Sequence, residues 1–146
     1  GYCTAITLMS LPTFFMETHT FDQACRDQIR PILKAYKQHR SDMLKGMVHP
    51  IGQTPDGSQM TGFQCHITHC NCGYLTLFRE LDCQESEADF ELVGLPADSN
   101  LKLTDLLTGQ SHMTTLNNAK LHLHMDQPAD FRFYSYEFVQ ACLDLL

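Results

Sequence analysis

The second half of the chain is divided into short runs in which apolar and polar residues alternate. Such alternation is typical of β-strands with one buried and one solvated face. In one run, Leu121, Leu123 and Met125 alternate with His122 and His124. Gly, Pro, Asn and Asp separate the runs, and several short strands at this spacing predict an antiparallel sandwich or barrel. The predicted strands cover residues 88–92, 101–107, 110–116, 119–125 and 131–138.

The most strand-like stretch, residues 61–81, precedes these runs. It is predicted to form a hairpin with a tight polar connection around residues 69–73. In its second half, alternate residues such as Tyr74 and Leu75 lie on opposite faces of the strand. Because both faces carry apolar side chains, we expect a central strand that is covered on both sides.

The N-terminal segment has a different pattern. Residues 2–16 are apolar on almost every side, which predicts a helix that is buried all round. Since the first residues of a free domain are usually solvated, we expect this segment to pack against structure outside the chain. A swapped or homodimer-forming N-terminal helix is the alternative. Exposed apolar surface, and hence dimerisation or aggregation, is expected from Ile6, Leu8, Leu11, Phe14 and Phe15.

A second helix is predicted to begin at a cap on Thr20 or Asp22 and to end near Lys45 and Gly46. Apolar residues at helical spacing give it one buried stripe. Pro31 interrupts this pattern, so we expect a kink or a restart there.

These patterns together predict a mainly β fold, an antiparallel β-sandwich preceded by two N-terminal helices. Residues 47–60 lack periodicity and contain a Pro-Asp-Gly turn, so they are predicted to be a loop. The predicted organisation is a helical segment over residues 1–45, a β-sandwich domain over residues 46–138 and a tail over residues 139–146.

Composition narrows the possible partners of the 146-residue chain. A formal net charge of −7 disfavours nucleic acid and an anionic membrane surface, both of which select basic faces. No apolar run is long enough to predict a membrane span. Seven cysteines are an odd number, so they cannot all pair within one chain.

The predicted hairpin carries a cluster of metal-ligand side chains around its turn. Zinc is held by imidazole and thiolate groups, but structural sites usually combine one pair of ligands with a second pair a dozen or more residues away. Here all candidates lie within eight residues, so a plain hairpin with reduced cysteines is the favoured interpretation. The candidate metal ligands are His66, His69, Cys70 and Cys72.

Two further patterns suggest binding. Tyr134 and Tyr136 share a strand face with Phe138 and would form a carbohydrate-stacking platform if exposed, with inward packing as the alternative. His122 and His124 share another face, which suits either a transition metal or solvent. The acidic residues over 82–91 are interpreted as a solvated edge. No catalytic residue and no cofactor is predicted.

Several motifs, in this order along the chain, resemble the C-terminal region of melibiase-type α-galactosidases and related glycoside hydrolases. The first resembles the final helix of their barrel, and the others resemble the sandwich that follows it. The motifs are Ile29-Arg-Pro-Ile-Leu-Lys-Ala-Tyr-Lys-Gln-His-Arg40, Pro50-Ile-Gly-x-x-Pro-Asp-Gly57, Thr61-Gly-Phe-Gln64, Gly73-Tyr-Leu-x-x-Phe-Arg-Glu80 and Leu103-Thr-Asp-Leu-Leu-Thr-Gly109.

The resemblance implies a role in carbohydrate metabolism without catalysis by this chain. In that family a (β/α)8 barrel carries two catalytic aspartates, and no stretch here matches the segments that hold them. The expected partner is therefore an upstream catalytic barrel, and residues 1–45 would be the remnant of its last helices. A free-standing carbohydrate-binding module is the alternative, followed by a metal-binding or redox interaction domain.

Overall fold

The computed structural model describes residues 1–13 and 17–139 of the chain. Two α-helices come first, and eight strands follow. Single 3-10 turns lie at Thr18–Thr20 and Thr68–Cys70. The helices are α1 (Tyr2–Ile6) and α2 (Gln23–Met43). The strands are β1 (Met47–Gly52), β2 (Met60–Ile67), β3 (Cys72–Arg79), β4 (Glu87–Glu91), β5 (Asn100–Asp105), β6 (Ser111–Thr115), β7 (Lys120–His124) and β8 (Asp130–Val139).

The strands form two antiparallel sheets. The larger has six strands in the order β1-β2-β3-β8-β5-β6, and the smaller pairs β4 with β7. Apolar residues at alternate positions of both sheets meet in one core, which includes Leu75, Leu103, Phe90 and Leu121. The predicted fold class, a mainly β sandwich preceded by two helices, is confirmed.

The second face of the six-stranded sheet is covered by the helices. Here Tyr74 and Phe78 of β3 pack in a separate cluster with Ile32 and Tyr36 of α2. The ring of Tyr2 in α1 meets that of Phe78 edge-on, with centroids 5.6 Å apart. Strand β3 is thus central and covered on both sides, as its two apolar faces predict.

Helix α2 begins and ends close to the predicted residues. The Asp22 carboxylate caps its first turn by accepting a hydrogen bond from the Cys25 N–H at 2.7 Å. The helix is continuous through Pro31, whose side chain is exposed, and ends at Met43. Of the two outcomes expected at Pro31, the restart is therefore wrong, and the kink stays a prediction.

The N-terminal segment differs from its prediction. Of its described residues, up to Thr13, only Tyr2–Ile6 is α-helical, and the chain continues in turns closed by the hydroxyls of Thr7 and Ser10, which bond to carbonyls three residues back. Leu11 is 73% exposed, as expected, whereas Leu8 is completely buried. Phe14 and Phe15 lie outside the described residues, as does the predicted tail after Val139.

Strand β1 corrects the loop prediction for residues 47–60. It pairs with β2 at the edge of the larger sheet, and Ile51 is its single buried residue. A strand with so little burial has no alternating signal, and an edge position tolerates Pro50 because one side of the strand makes no ladder bonds. Tertiary pairing with β2 therefore decides its structure.

Candidate functional site

The turn between β2 and β3 separates the predicted metal ligands. Cys70 and Cys72 form a disulfide across Asn71, which adopts a left-handed conformation. Their sulfurs are bonded to each other and are not thiolate ligands, so the expectation of reduced cysteines is wrong at this turn. His69 is exposed in the turn, whereas His66 is buried inside the sheet. The four side chains therefore do not converge on one point.

His66 belongs to a buried polar centre between the two sheets. Its Nδ1 atom lies 2.7 Å from the Tyr136 hydroxyl, which also accepts a hydrogen bond of 2.9 Å from the Gln64 amide. The Gln64 amide additionally bonds both backbone groups of Val93, at 2.7 and 3.0 Å. This network ties β2 to β8 and to the connection after β4.

Burial sets the protonation of this centre. Desolvation lowers the pKa of His66, and the neighbouring His49 lowers it further, so the neutral imidazole is favoured. Desolvation also raises the pKa of the Tyr136 hydroxyl. Among the residues that the structure describes, the His66 Nε2 atom has no hydrogen-bond partner, and it lies against Gly94. A Cβ atom at Gly94 would come within 2.7 Å of Nε2, so this position requires glycine.

The two tyrosines proposed as a carbohydrate platform lie inside the sandwich. Tyr134 is 7% exposed and Tyr136 is 1% exposed, and both contribute to the core between the sheets. Phe138 packs against the same core. The inward-packing alternative describes all three rings, and neither tyrosine presents its face to solvent.

Arg79 is a buried cation that bonds to backbone carbonyls. Its guanidinium donates to the carbonyl oxygens of Cys83 and Met125, at 3.0 and 2.8 Å, and also to those of Gln84 and Asp126. A planar group with five donors suits this role because several carbonyls are satisfied at once. Arg79 thereby joins the end of β3 to the segments before β4 and after β7.

Glu80, the next residue, is a buried anion with the complementary role. Its carboxylate accepts hydrogen bonds from the N–H groups of Gly57 and Gln59, at 2.8 and 2.9 Å, and a longer one from Asp56. These groups belong to the Pro-Asp-Gly turn between β1 and β2. The carboxylate therefore fixes a loop and is not placed as a general acid or nucleophile, which would face a second carboxylate across a substrate.

Asp105 repeats this arrangement in another of the motifs. Its carboxylate accepts hydrogen bonds from the N–H groups of Leu107 and Thr108, at 2.8 and 3.1 Å. Gln64, Glu80 and Asp105 come from three separate motifs that carry the family resemblance, and each binds backbone. These three side chains thus serve as structural anchors.

A groove of about 870 Å³ lies along α2, on the side of the helix away from the sheet. Its apolar lining includes Ile29 and Leu33, which are half-buried. Four of the ten Lys and Arg side chains of this acidic protein also line it: Arg26, Arg30, Lys34 and Lys37. A concave surface with apolar and basic groups suits an acidic partner surface better than a small polar ligand.

The predicted histidine pair lies elsewhere. His122 and His124 project from the outer face of β7, opposite acidic residues of β4. Each of the two histidines contacts carboxylates, so neither side chain is surrounded by solvent alone.

Comparisons with known proteins leave the family open. No family model matches the chain, and no curated protein matches it significantly. Within the described residues, no helix is both long and apolar enough to cross a membrane.

Sequence reasoning missed the groove and the role of Arg79 and Glu80. The groove had a signal in the sequence, since basic residues recur at three- and four-residue spacing over 26–37 and so share one helix face. The bond from Arg79 to the Met125 carbonyl had no such signal, because Met125 lies 46 residues away along the chain.

Proposed function

We propose that this chain is the non-catalytic C-terminal part of a glycoside hydrolase that resembles α-galactosidase, and that it braces the catalytic barrel. The order of two helices followed by an antiparallel sandwich agrees with the order in that family. The ordered motif series supports the same proposal. In this role the sandwich supports α2, and α2 contacts the barrel.

The groove on α2 is the observation that carries the proposal. One side of the helix packs on the six-stranded sheet through Ile32 and Tyr36, and the other side presents Ile29 and Leu33. The last helix of a barrel would be covered on this second side by neighbouring barrel elements. Because the rim of the groove is basic, we predict that the surface that covers the groove is apolar with carboxylates around it.

The internal use of the motif carboxylates supports the non-catalytic part of the proposal. Retaining glycosidases need two carboxyl groups about 5 Å apart, and inverting enzymes need a wider pair. Glu80 and Asp105 accept backbone hydrogen bonds instead. Each carboxylate is already committed to holding a loop.

Hydrolysis of an aryl α-galactoside by the purified chain tests this proposal. We expect no release of the aryl alcohol above a protein-free control, because catalysis belongs to the barrel. A catalytically competent α-galactosidase serves as the positive control. Turnover that co-purifies with the folded chain and is lost on its denaturation would overturn the non-catalytic assignment.

A further inference from the structure

The turn between β2 and β3 carries a disulfide that closes a very short loop. Cys70 and Cys72 are bonded across a single residue, Asn71. Cys70 is exposed and Cys72 is half-buried, so reagents in solution can reach the bond. Exposed disulfides are the ones that thiols reduce most readily, whereas structural disulfides resist reduction by the glutathione pool. The position of this bond therefore indicates a reactive site.

The hairpin is held together without this bond. Strands β2 and β3 pair along all eight residues of each strand. The turn itself is closed by a hydrogen bond from the Asn71 N–H to the Thr68 carbonyl oxygen. A cross-link stabilises a protein mainly by restricting the unfolded chain, and this effect is smallest for the shortest loops. Stabilisation of the fold therefore does not explain why the two sulfurs are joined.

Two buried cysteines of the sandwich give a contrast. Cys65 and Cys83 are free thiols, and both side chains lie inside the protein. Burial raises the pKa of the Cys65 thiol, which lowers the fraction of reactive thiolate. Reagents in solution should therefore distinguish the turn from the core.

We propose that the Cys70–Cys72 disulfide is a site of reversible thiol–disulfide exchange with a dithiol. A thiolate of the dithiol attacks the Cys70 sulfur, the bond between the two cysteine sulfurs breaks, and Cys72 leaves as a thiolate that takes up a proton. The second thiol of the dithiol loses its proton and displaces Cys70 from the mixed disulfide, and Cys70 is protonated in turn. Two electrons pass to the chain, which gains two thiols, and the dithiol becomes a disulfide.

The surroundings of the two sulfurs decide which one is attacked and support the reduced state. Cys72 packs against the apolar cluster on the helix side of the sheet, which leaves Cys70 as the accessible sulfur. The Cys70 sulfur lies 3.5 Å from the carbonyl oxygen of Ile67. Once Cys70 is a thiol, this oxygen accepts a weak hydrogen bond from it.

The redox state of the turn also affects β8. The Asn71 carbonyl oxygen accepts a hydrogen bond of 3.2 Å from the Phe138 N–H. Asn71 has a left-handed backbone conformation, with φ of 47°, inside the ring that the disulfide closes. Opening the ring removes this constraint on a conformation that L-residues seldom adopt. Reduction should therefore weaken the bond to Phe138. The exchange site is independent of the proposed bracing function.

Reduction of the folded chain by dithiothreitol, followed by alkylation and peptide mass spectrometry, tests the proposal. We expect alkylation of both Cys70 and Cys72 in a chain whose circular dichroism is unchanged. The buried Cys65 and Cys83 are internal controls and should stay unlabelled. An excess of reduced glutathione should also open the bond, and oxidised glutathione should restore it.

Single variants identify the accessible sulfur. Cys72→Ser leaves Cys70 as an exposed thiol, and Cys70→Ser leaves Cys72 as a half-buried one. Iodoacetamide should alkylate the turn about ten-fold faster in Cys72→Ser than in Cys70→Ser. Peptide mass spectrometry separates this reaction from that of the exposed Cys3, which occurs in both variants.

Hydrogen exchange measures the effect on β8. The Phe138 amide should exchange at least about three-fold faster after reduction, because its acceptor is less firmly held. The Leu92 amide, which bonds the Ala119 carbonyl oxygen at 2.8 Å, is the matched control and should exchange at the same rate in both states. Unchanged exchange at Phe138 would contradict the coupling between the turn and β8.

Any of three results would overturn the exchange site. The first is a bond that resists dithiothreitol and excess reduced glutathione until urea unfolds the chain. The second is a pair of free thiols at the turn that oxidised glutathione does not join. The third is equal alkylation rates in the two variants, which would contradict attack at Cys70. All three results would leave the bracing proposal intact, because that proposal depends on α2.

Discussion

The two faces of the six-stranded sheet are buried in different ways. One face is closed by the small β4–β7 sheet, and the core between them contains completely buried residues such as Leu75 and Leu101. The other face is covered by α1 and α2, which bury Tyr74 and Phe78 but leave the groove on the outer side of α2 open. The first layer is complete within the chain, whereas the second has an apolar surface with no cover among the described residues.

This difference separates folding from association. The core between the sheets unites the sandwich, and the loops at its ends are fixed by Arg79 and Glu80. The helical layer uses one side of α2 for the same purpose, and the groove lies on the other side. Stability should therefore respond to the sandwich core, and association to the groove.

Truncation of leucine side chains should show the difference in stability between the two layers most clearly. Leu103→Ala, in the core between the sheets, should lower the free energy of unfolding by about 2–5 kcal/mol, because it removes buried methyl groups and leaves a cavity. Leu33→Ala makes the same chemical change in the groove and should cost less than about 1 kcal/mol. Urea unfolding followed by circular dichroism measures both. Equal losses would contradict the distinction between the layers.

Loss of the buried guanidinium should have the next largest effect. Arg79→Met keeps a long apolar stem but leaves the carbonyls of Cys83 and Met125 without their donor. We expect a loss of about 3 kcal/mol in the free energy of unfolding. Arg40→Met, an exposed arginine on α2, is the control and should change stability little. A loss for Arg79→Met no larger than that of the control would show that these bonds are not needed.

The His66 centre should make stability depend on pH. Because burial lowers the pKa of His66, the folded state excludes a proton that the unfolded chain binds below about pH 6.5. The free energy of unfolding should therefore decrease as the pH falls through this region. Unfolding measured between about pH 5 and 7.5 should show a weaker dependence in His66→Asn and an unchanged one in His69→Asn. Identical slopes in all three proteins would exclude His66 as the source.

Charge reversal in the groove should affect stability least. A Lys34→Glu/Lys37→Glu variant should unfold within about 0.5 kcal/mol of the natural chain, since both side chains are exposed. In the larger polypeptide that we propose, the same change should weaken packing between the barrel and α2. Limited proteolysis of that polypeptide should then release the C-terminal region faster. The stability prediction fails if the isolated variant is clearly destabilised.

The sequence predicts the strands better than it predicts their partners. Residues 119–125 alternate clearly between apolar and polar side chains, because one face of the strand, which carries Leu121, is buried. Strand β7 begins and ends within one residue of that range. The pairing of β7 with β4 in a separate sheet is not encoded in this local pattern. Strand β1 gives no alternation at all, since Ile51 alone is buried.

Candidate sites are harder to predict for the same reason. Cys70 and Cys72 are candidate metal ligands by residue type, and their spacing favours a plain hairpin with reduced cysteines, but only their positions in the turn show that the two sulfurs are joined. Tyr136 alternates as a platform residue would, yet its hydroxyl bonds Gln64, 72 residues away along the chain. The histidine pair on β7 is visible in the sequence, whereas its contacts with Glu87 depend on the pairing with β4.

The size of the native polypeptide that contains this sequence tests the central claim most directly. An antibody raised against the chain, used on extracts of its source cells, would measure that size by immunoblot. The account predicts a band several times larger than the 16.6 kDa of this chain, because we propose that a catalytic barrel belongs to the same polypeptide. A single band at 16.6 kDa would contradict it and would make this region a free-standing domain.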